Sequence, residues 1–137
     1  MYQTTLHLKT SGEGDIIDIT PHVSEAVRKS GVVTGIVSLF VVGSTAALTT
    51  IEYEPGALSD LRSALSRLAP EDAVYAHDQR WGDGNGRSHV RAALVGPSLS
   101  LPIVEKRLVT GTWQQIILCE LDIRSSRDRS IILTIVS

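Results

Sequence analysis

The sequence predicts an α+β fold, a mostly antiparallel β-sandwich carrying two helices, on three observations. Alternating runs rich in β-branched residues recur from residue 2 to residue 137. Only two stretches, around 20–31 and 55–70, carry apolar residues at helical spacing. Beyond residue 89 the chain reads as strand after strand with short turns between them.

Taken in order, "YQTTLHLK" at 2–9 alternates as a half-exposed strand, and "DIIDIT" at 15–20 follows the turn-rich Ser11-Gly12-Glu13-Gly14, which predicts an opening hairpin. Thr20-Pro21 has the form of an N-cap followed by proline at the first helical position. Val23, Ala26 and Val27 share a face, and Gly31 stands at the C-terminal end of this short helix. "GIVSLFVVG" at 35–43 and "ALTTIEYE" at 47–54 flank the small connection Gly43-Ser44-Thr45 and are expected to be neighbouring strands. After Pro55-Gly56, the stripe Leu58, Leu61, Leu65 and Leu68 marks a second helix with a core face, stopped at Ala69-Pro70. Pro70 to Ser88 shows no period, and a connection of that length tends to be functional.

The remaining runs, "HVRAALVG" at 89–96, "LSLPIV" at 99–104, "QQIILCELDI" at 114–123 and "RSIILTIVS" at 129–137, all read as strands. In the third, Ile117, Cys119 and Leu121 alternate with Ile116 and Leu118, so both faces are apolar and the strand is predicted to be central and covered on both sides. Gln114 and Glu120 flank the apolar pair, each at an edge where polarity is tolerated, and burial against another chain is one way to cover such a sheet.

At 137 residues the chain suits one domain, 1–137, with a single core. A hydrophobic content of 42% with 20% charged residues carries no signature of disorder. A formal charge of -2 supplies no positive field for a phosphate backbone, so nucleic acid is excluded as a partner. No apolar run approaches the roughly 20 residues that span a bilayer, and Met1 is not followed by a basic-then-apolar segment, so a cytoplasmic protein without a membrane partner is expected. The lone Cys119 lies inside an apolar run and reads as a buried thiol.

"WGDGNGRSH" at 81–89 has glycine at every second place after Trp81. Asp-Gly and Asn-Gly are strong turn dipeptides, and a turn explains the glycines. The segment fails the Walker pattern, and Arg87 occupies the third ligand place of a calcium loop. Ser88-His89 directly after it, with His77 and Asp78 upstream, supports a site as well. His89 and His77 suit general acid-base work, metal ligation or phosphate contact, or alternatively a hydrogen-bonded surface role. His7 and His22 lack such company and read as structural.

Trp113 and Gln114 in "GTWQQI" can line a pocket and read a flat heterocycle, or pack in the core. "RSSRDR" at 124–129 clusters Arg124, Arg127 and Arg129, either as bidentate partners for phosphate or as a solvated hairpin tip.

These segments together resemble the YjbQ-like proteins, described as a secondary thiamin-phosphate synthase family. The carriers are "DIT" at 18–20, "STAALTTIE" at 44–52, "LAPED" at 68–72, Tyr75 and His77, "GDGNGRSHVRAALVGPSLSLPI" at 82–103 and "GTWQQI" at 111–116. The resemblance covers nearly the full chain. It implies a compact sandwich assembling as a homotrimer, polar pockets near the subunit contacts, and weak transfer of a hydroxymethylpyrimidine diphosphate onto a thiazole phosphate, giving thiamin phosphate and pyrophosphate. It also implies diphosphate neutralisation by a metal, magnesium being the expected one, or by cationic and backbone donors.

On that reading His77 and His89 orient or protonate phosphate oxygens, while Asn85 and Ser88 donate hydrogen bonds. Arg87, Arg127 and Arg129 meet the phosphates, Trp113 and Gln114 hold the pyrimidine, and Thr45 and Glu52 support the pocket. The chain departs from the family's usual pattern at Gly43 and Arg87, where histidines are usual, and at Pro55, where an acidic residue is usual. Arg87 brings charge suited to an anion rather than to proton transfer. A rival reading is a non-catalytic ligand-binding or scaffolding trimer whose glycine loop builds only the subunit contact.

Overall fold

Strand alternation is realised along most of the chain: β-branched residues point alternately inward and outward, and two sheets stack on their inward faces. The computed structural model describes residues 1–137. Eight strands and four helices follow in the order β1 (Tyr2–Thr10), β2 (Ile16–Asp18), α1 (Thr20–Ser30), β3 (Gly35–Val42), β4 (Ala46–Ile51), α2 (Pro55–Leu68), α3 (Ala76–Trp81), α4 (Gly86–Val95), β5 (Ser98–Val104), β6 (Arg107–Leu108), β7 (Gln115–Glu120) and β8 (Arg127–Val136). One sheet has five strands in the order β1-β8-β3-β5-β6, and the other has three, β2-β7-β4. Every pairing is antiparallel, which bears out the α+β sandwich.

The larger core lies between the sheets. Val37, Leu39 and Val41 of β3, Ile131, Leu133 and Ile135 of β8, and Leu101 and Ile103 of β5 meet Ile116 and Leu118 of β7, with Val23, Ala26 and Val27 of α1 closing one side. Each of the valine, leucine and isoleucine side chains among them stabilises the fold by about 1.5–3 kcal/mol through burial. β7 is the central strand of the small sheet and is covered on both faces, as its two apolar sets predict. Its other face, Ile117 and Cys119, packs with Leu58 and Leu65 of α2 and Ala92 of α4 in a second core. Burial pushes the Cys119 thiol up to about 12, so it stays a neutral packing group.

Several expectations about the order and pairing of the elements are corrected. The opening hairpin does not form, because β1 pairs with β8 in the large sheet while β2 pairs with β7 in the small one. β3 and β4 are not paired neighbours: the Gly43-Ser44-Thr45 connection carries the chain from one sheet to the other. Residues 89–96 are not a strand but most of α4, and α3 occupies part of the supposed structureless connection. "RAAL" carries alanine and leucine, both strong helix formers, and Ala92 is small enough for the helix to seat against the small sheet.

The helices themselves require further revision. Thr20 lies inside α1, and instead of capping it, its Oγ1 accepts the Ile116 N–H at 2.8 Å and ties α1 to β7. In the leucine stripe of α2, Leu58 and Leu65 are buried but Leu68 is 68% exposed, because the helix ends there and runs past the sheet. Finally, α2 and α4 of the same chain cover the outer face of the small sheet, so no second chain is required there. Glu120 likewise stands at no polar edge but is sealed inside the protein.

Candidate functional site

The glycine-rich nonapeptide proves to be the joint between α3 and α4. Gly82 ends α3 in the left-handed conformation, and Asp78 reaches from α3 to accept the Gly86 N–H at 2.8 Å, capping α4. A Cβ at Gly86 would fall 2.5 Å from the Tyr75 Cβ, so only glycine lets α4 start this close to the residue before α3. Tyr75 is held in turn by its hydroxyl, which donates to the Pro70 carbonyl at 2.6 Å.

This joint brings His77, Asn85 and His89 together. With its NH2 turned inward, Asn85 donates to His77 Nε2 at 2.8 Å and to the two Asp83 oxygens at 3.0 and 3.2 Å. The His77 and His89 ring centroids lie 4.5 Å apart at a tilt of 56°. Asn85 immediately precedes α4 and His89 stands one turn on, its N–H donating to the Asn85 carbonyl at 3.3 Å. His77, Asp78 and Asp83 each offer a ligand atom within 4.8 Å of the others. Two carboxylates and an imidazole are a donor set that holds a divalent ion together with substrate oxygens.

His89 also lines a hollow of about 430 Å³, with Phe40, Gly43, Ser44, Ala46, Ala92, Ala93 and Pro97. The hollow therefore lies between His89 and the connection from β3 to β4. Phe40 belongs to the outward face of the large sheet and is 47% exposed.

Other anticipated residues go elsewhere. Arg87 donates through Nε and Nη2 to Glu13 Oε1 and Oε2 at 2.8 and 2.9 Å, and Arg91 adds a bond to Oε1 at 3.2 Å. This fork holds the Arg87 guanidinium above its ordinary pKa and pins the 11–14 turn to α4. Arg87 lies about 200° around the helix from His89, because they are two residues apart. Arg91, which the sequence did not single out, is buried and donates through Nε and Nη2 to the Ala69 carbonyl at 3.0 and 2.8 Å. Its spacing of four from Arg87 was the available signal. Ser88 is buried, and its Oγ has no partner.

Thr45, Arg127 and Arg129 enter a buried network instead of a solvated tip. Arg129 Nε donates to Glu120 Oε1 at 2.8 Å, and its Nη2 donates to Glu120 Oε2 at 2.5 Å and to Thr45 Oγ1 at 2.8 Å. Thr45 donates onward to Asp122 at 2.9 Å, Thr10 donates to Glu120 at 2.7 Å, and Arg127 pairs with Asp122. Burial alone would raise the Glu120 carboxyl, but hydrogen bonds from Arg129, Thr10 and the Asp122 N–H, with the Arg129 charge, hold it below its ordinary value. Asp122 is likewise held low against its burial, first by the Thr45 hydroxyl and then by the Arg124 N–H and the arginine charges. Glu120 and Asp122 were missed as partners, although two acids one strand step apart beside an arginine run are the signal for such a network.

Trp113 is 70% exposed, Glu52 is exposed, and Gln114 accepts the Gly111 N–H at 3.0 Å while donating to Thr50 at 3.1 Å. They gather where Ile51 faces Gln115, at the far end of β4 from the hollow. The five steps from Ala46 to Ile51 put roughly 16 Å between the two groups within one chain.

Two antiparallel sheets, a helical layer over the smaller one and a histidine-amide cluster at the α3–α4 joint, whose His89 borders a hollow, define an α+β sandwich protein. The chain belongs to the UPF0047 YjbQ-like protein family, whose model matches residues 4–137. It is 40% identical over 122 residues to a UPF0047 protein of Methanothermobacter thermautotrophicus, covering 89% of this chain and 84% of that one. The fold is similar to that of a crystal structure from Sulfolobus solfataricus, a YbjQ-like protein of unknown function, at TM-score 0.87 and 32% identity over 99% of this chain and 97% of that one. A hypothetical protein of Aeropyrum pernix matches at TM-score 0.90 and 28% identity over 100% and 99% of the two chains.

Proposed function

We propose that the hollow beside His89 binds a phosphorylated heterocycle, and that the protein, assembled as a homotrimer in the cytoplasm, has weak thiamin-phosphate synthase-type activity. The observation that carries this reading is the contact of His77 and Asn85 with one another and of His77 with His89, which itself lines a hollow whose other side is the Gly43-Ser44 connection. In the reaction the pyrimidine methylene leaves pyrophosphate as its C–O bond breaks and forms a C–N bond to the thiazole nitrogen. His77 and His89 orient or protonate the departing phosphate oxygens, and Asn85 holds the His77 ring. Magnesium bound at Asp78 and Asp83 would neutralise the diphosphate.

The trimer is supported by the outward face of the large sheet, where Ile36, Phe40, Val42, Val104 and Val136 are all exposed. Phe40 is common to that face and to the hollow, so a copy laid on the sheet closes the pocket, and it can supply the Trp113, Gln114 and Glu52 group that one chain holds apart. No helix is long and apolar enough to cross a membrane. The rival reading, a non-catalytic ligand-binding or scaffolding trimer, is favoured by the commitment of Arg87 to Glu13, which removes an anticipated cation from the phosphates.

An assay with both thiamin precursors and magnesium separates the two. Thiamin phosphate should rise above a His89→Ala control, and equal yields would leave only the binding reading. A mass near that of one chain by light scattering would remove the trimer.

A further inference from the structure

Arg129 is a buried cation with donors left over. Its side chain is 1% exposed, and its Nε and Nη2 are bound to Glu120 and Thr45, while Nη1 makes no hydrogen bond. A guanidinium carries five N–H donors, and those buried without a partner are costly. Ser88 Oγ is the one side-chain polar atom fully shielded from solvent and without a partner, so Nη1 is not fully shielded. What borders it is Gly43: a Cβ there would come within 2.8 Å of Nη1. Gly43 has φ +140°, a conformation that disfavours any side chain. The absence of a side chain at 43 therefore leaves room beside the last arginine nitrogen.

Gly43 is also a wall of the 430 Å³ hollow, together with Ser44 and His89. The backbone N–H groups of Gly43, Ser44 and Thr45 enter no hydrogen bond, which leaves a run of unmatched donors beside the unmatched Nη1. The rest of the network is charge-balanced, Glu120 against Arg129 and Asp122 against Arg127. It therefore holds Arg129 rigid from behind without using the edge that faces Gly43.

We propose that Gly43 is a window through which buried Arg129 presents Nη1 to a phosphate group held in the hollow. The inference rests on the pocket reading above and deepens it: Arg129 and the 43–45 amides, rather than Arg87, take the anion. A phosphate dianion suits the site better than a carboxylate, because it offers more acceptors to dispersed single donors and a second charge.

The test is titration of inorganic phosphate, and separately acetate, into isotopically labelled wild-type protein, following the Arg129 guanidinium and His89 ring resonances. Calorimetry gives affinities for wild type and Gly43→Ala. Phosphate should shift the Arg129 signals, acetate should bind at least tenfold more weakly, and Gly43→Ala should weaken phosphate at least tenfold with an unchanged circular dichroism spectrum. Shifts at His89 with none at Arg129, or an unchanged Gly43→Ala affinity, overturn the window and leave the pocket standing. Acetate binding as tightly as phosphate overturns the phosphate assignment. No phosphate binding at all overturns the pocket with it. Should Gly43→Ala fail to fold, the wild-type Arg129 resonances decide alone.

Discussion

The Glu120–Arg129 network and the His77–Asn85–His89 cluster are both built of polar side chains, yet they stand in opposite conditions. Glu120 is sealed and accepts from Arg129, Thr10 and the Asp122 N–H together. The histidine pair is half-buried, held by one amide and a ring contact, and its His89 lines a hollow. A buried charge is tolerated only when its partners are complete, so the first region holds structure in place, whereas the second has donor and acceptor capacity left for a ligand. Arg129 touches both conditions, saturated on two nitrogens and open on the third.

The largest break in that comparison is Arg129→Met, which leaves Glu120 buried and unpaired. It should cost about 3–5 kcal/mol in urea unfolding, as expected for a broken buried pair, while Glu120→Met with Arg129→Met should recover much of the loss. A cost under about 1 kcal/mol would mean the network contributes little.

Acid sharpens the contrast next. Because Glu120 and Asp122 titrate below their ordinary values when folded, the unfolded chain takes up their protons first. Their stabilisation is therefore fully present above about pH 5 and lost as pH falls through the unfolded carboxylate range near 4 toward the lower folded values. Thermal midpoints should be flat from pH 7 to 5 and fall steadily below. In Glu120→Gln the fall should be shallower, and an identical slope would rule this carboxylate out as a cause.

The smallest effect belongs to the cluster. His77→Ala removes a half-buried ring held by one amide and should change stability by less than about 1 kcal/mol. The same change should disturb the His89 ring resonances, and a cost as large as that of Arg129→Met would show the cluster to be structural.

The family resemblance and the strand pattern carried much of the fold, and they carried it unevenly. β7 was legible to the level of its two faces, because alternation is a property of the chain alone and both sets are apolar. α4 was misread, since "HVRAALV" supports either period and its helical state follows from Asp78 capping it and from Ala92 packing under it. At the candidate site, His77, Asn85 and His89 were singled out by composition and resemblance, and the structure brings them together. Arg87 was also singled out, but its partner Glu13 stands 74 residues away, and no local pattern announces that pair.

The sequence by itself determined where most strands and the first two helices lie, which faces are apolar, and that glycine and histidine concentrate at 77–89. Those depend on neighbours within a few residues. The tertiary structure alone decided that β1 joins β8 rather than β2, that Arg127 and Arg129 turn inward to Asp122 and Glu120, and that Gly43 leaves one arginine nitrogen open. Each of these is a choice among partners far apart in the chain, and it is settled by which arrangement leaves the fewest buried charges and N–H groups unmatched.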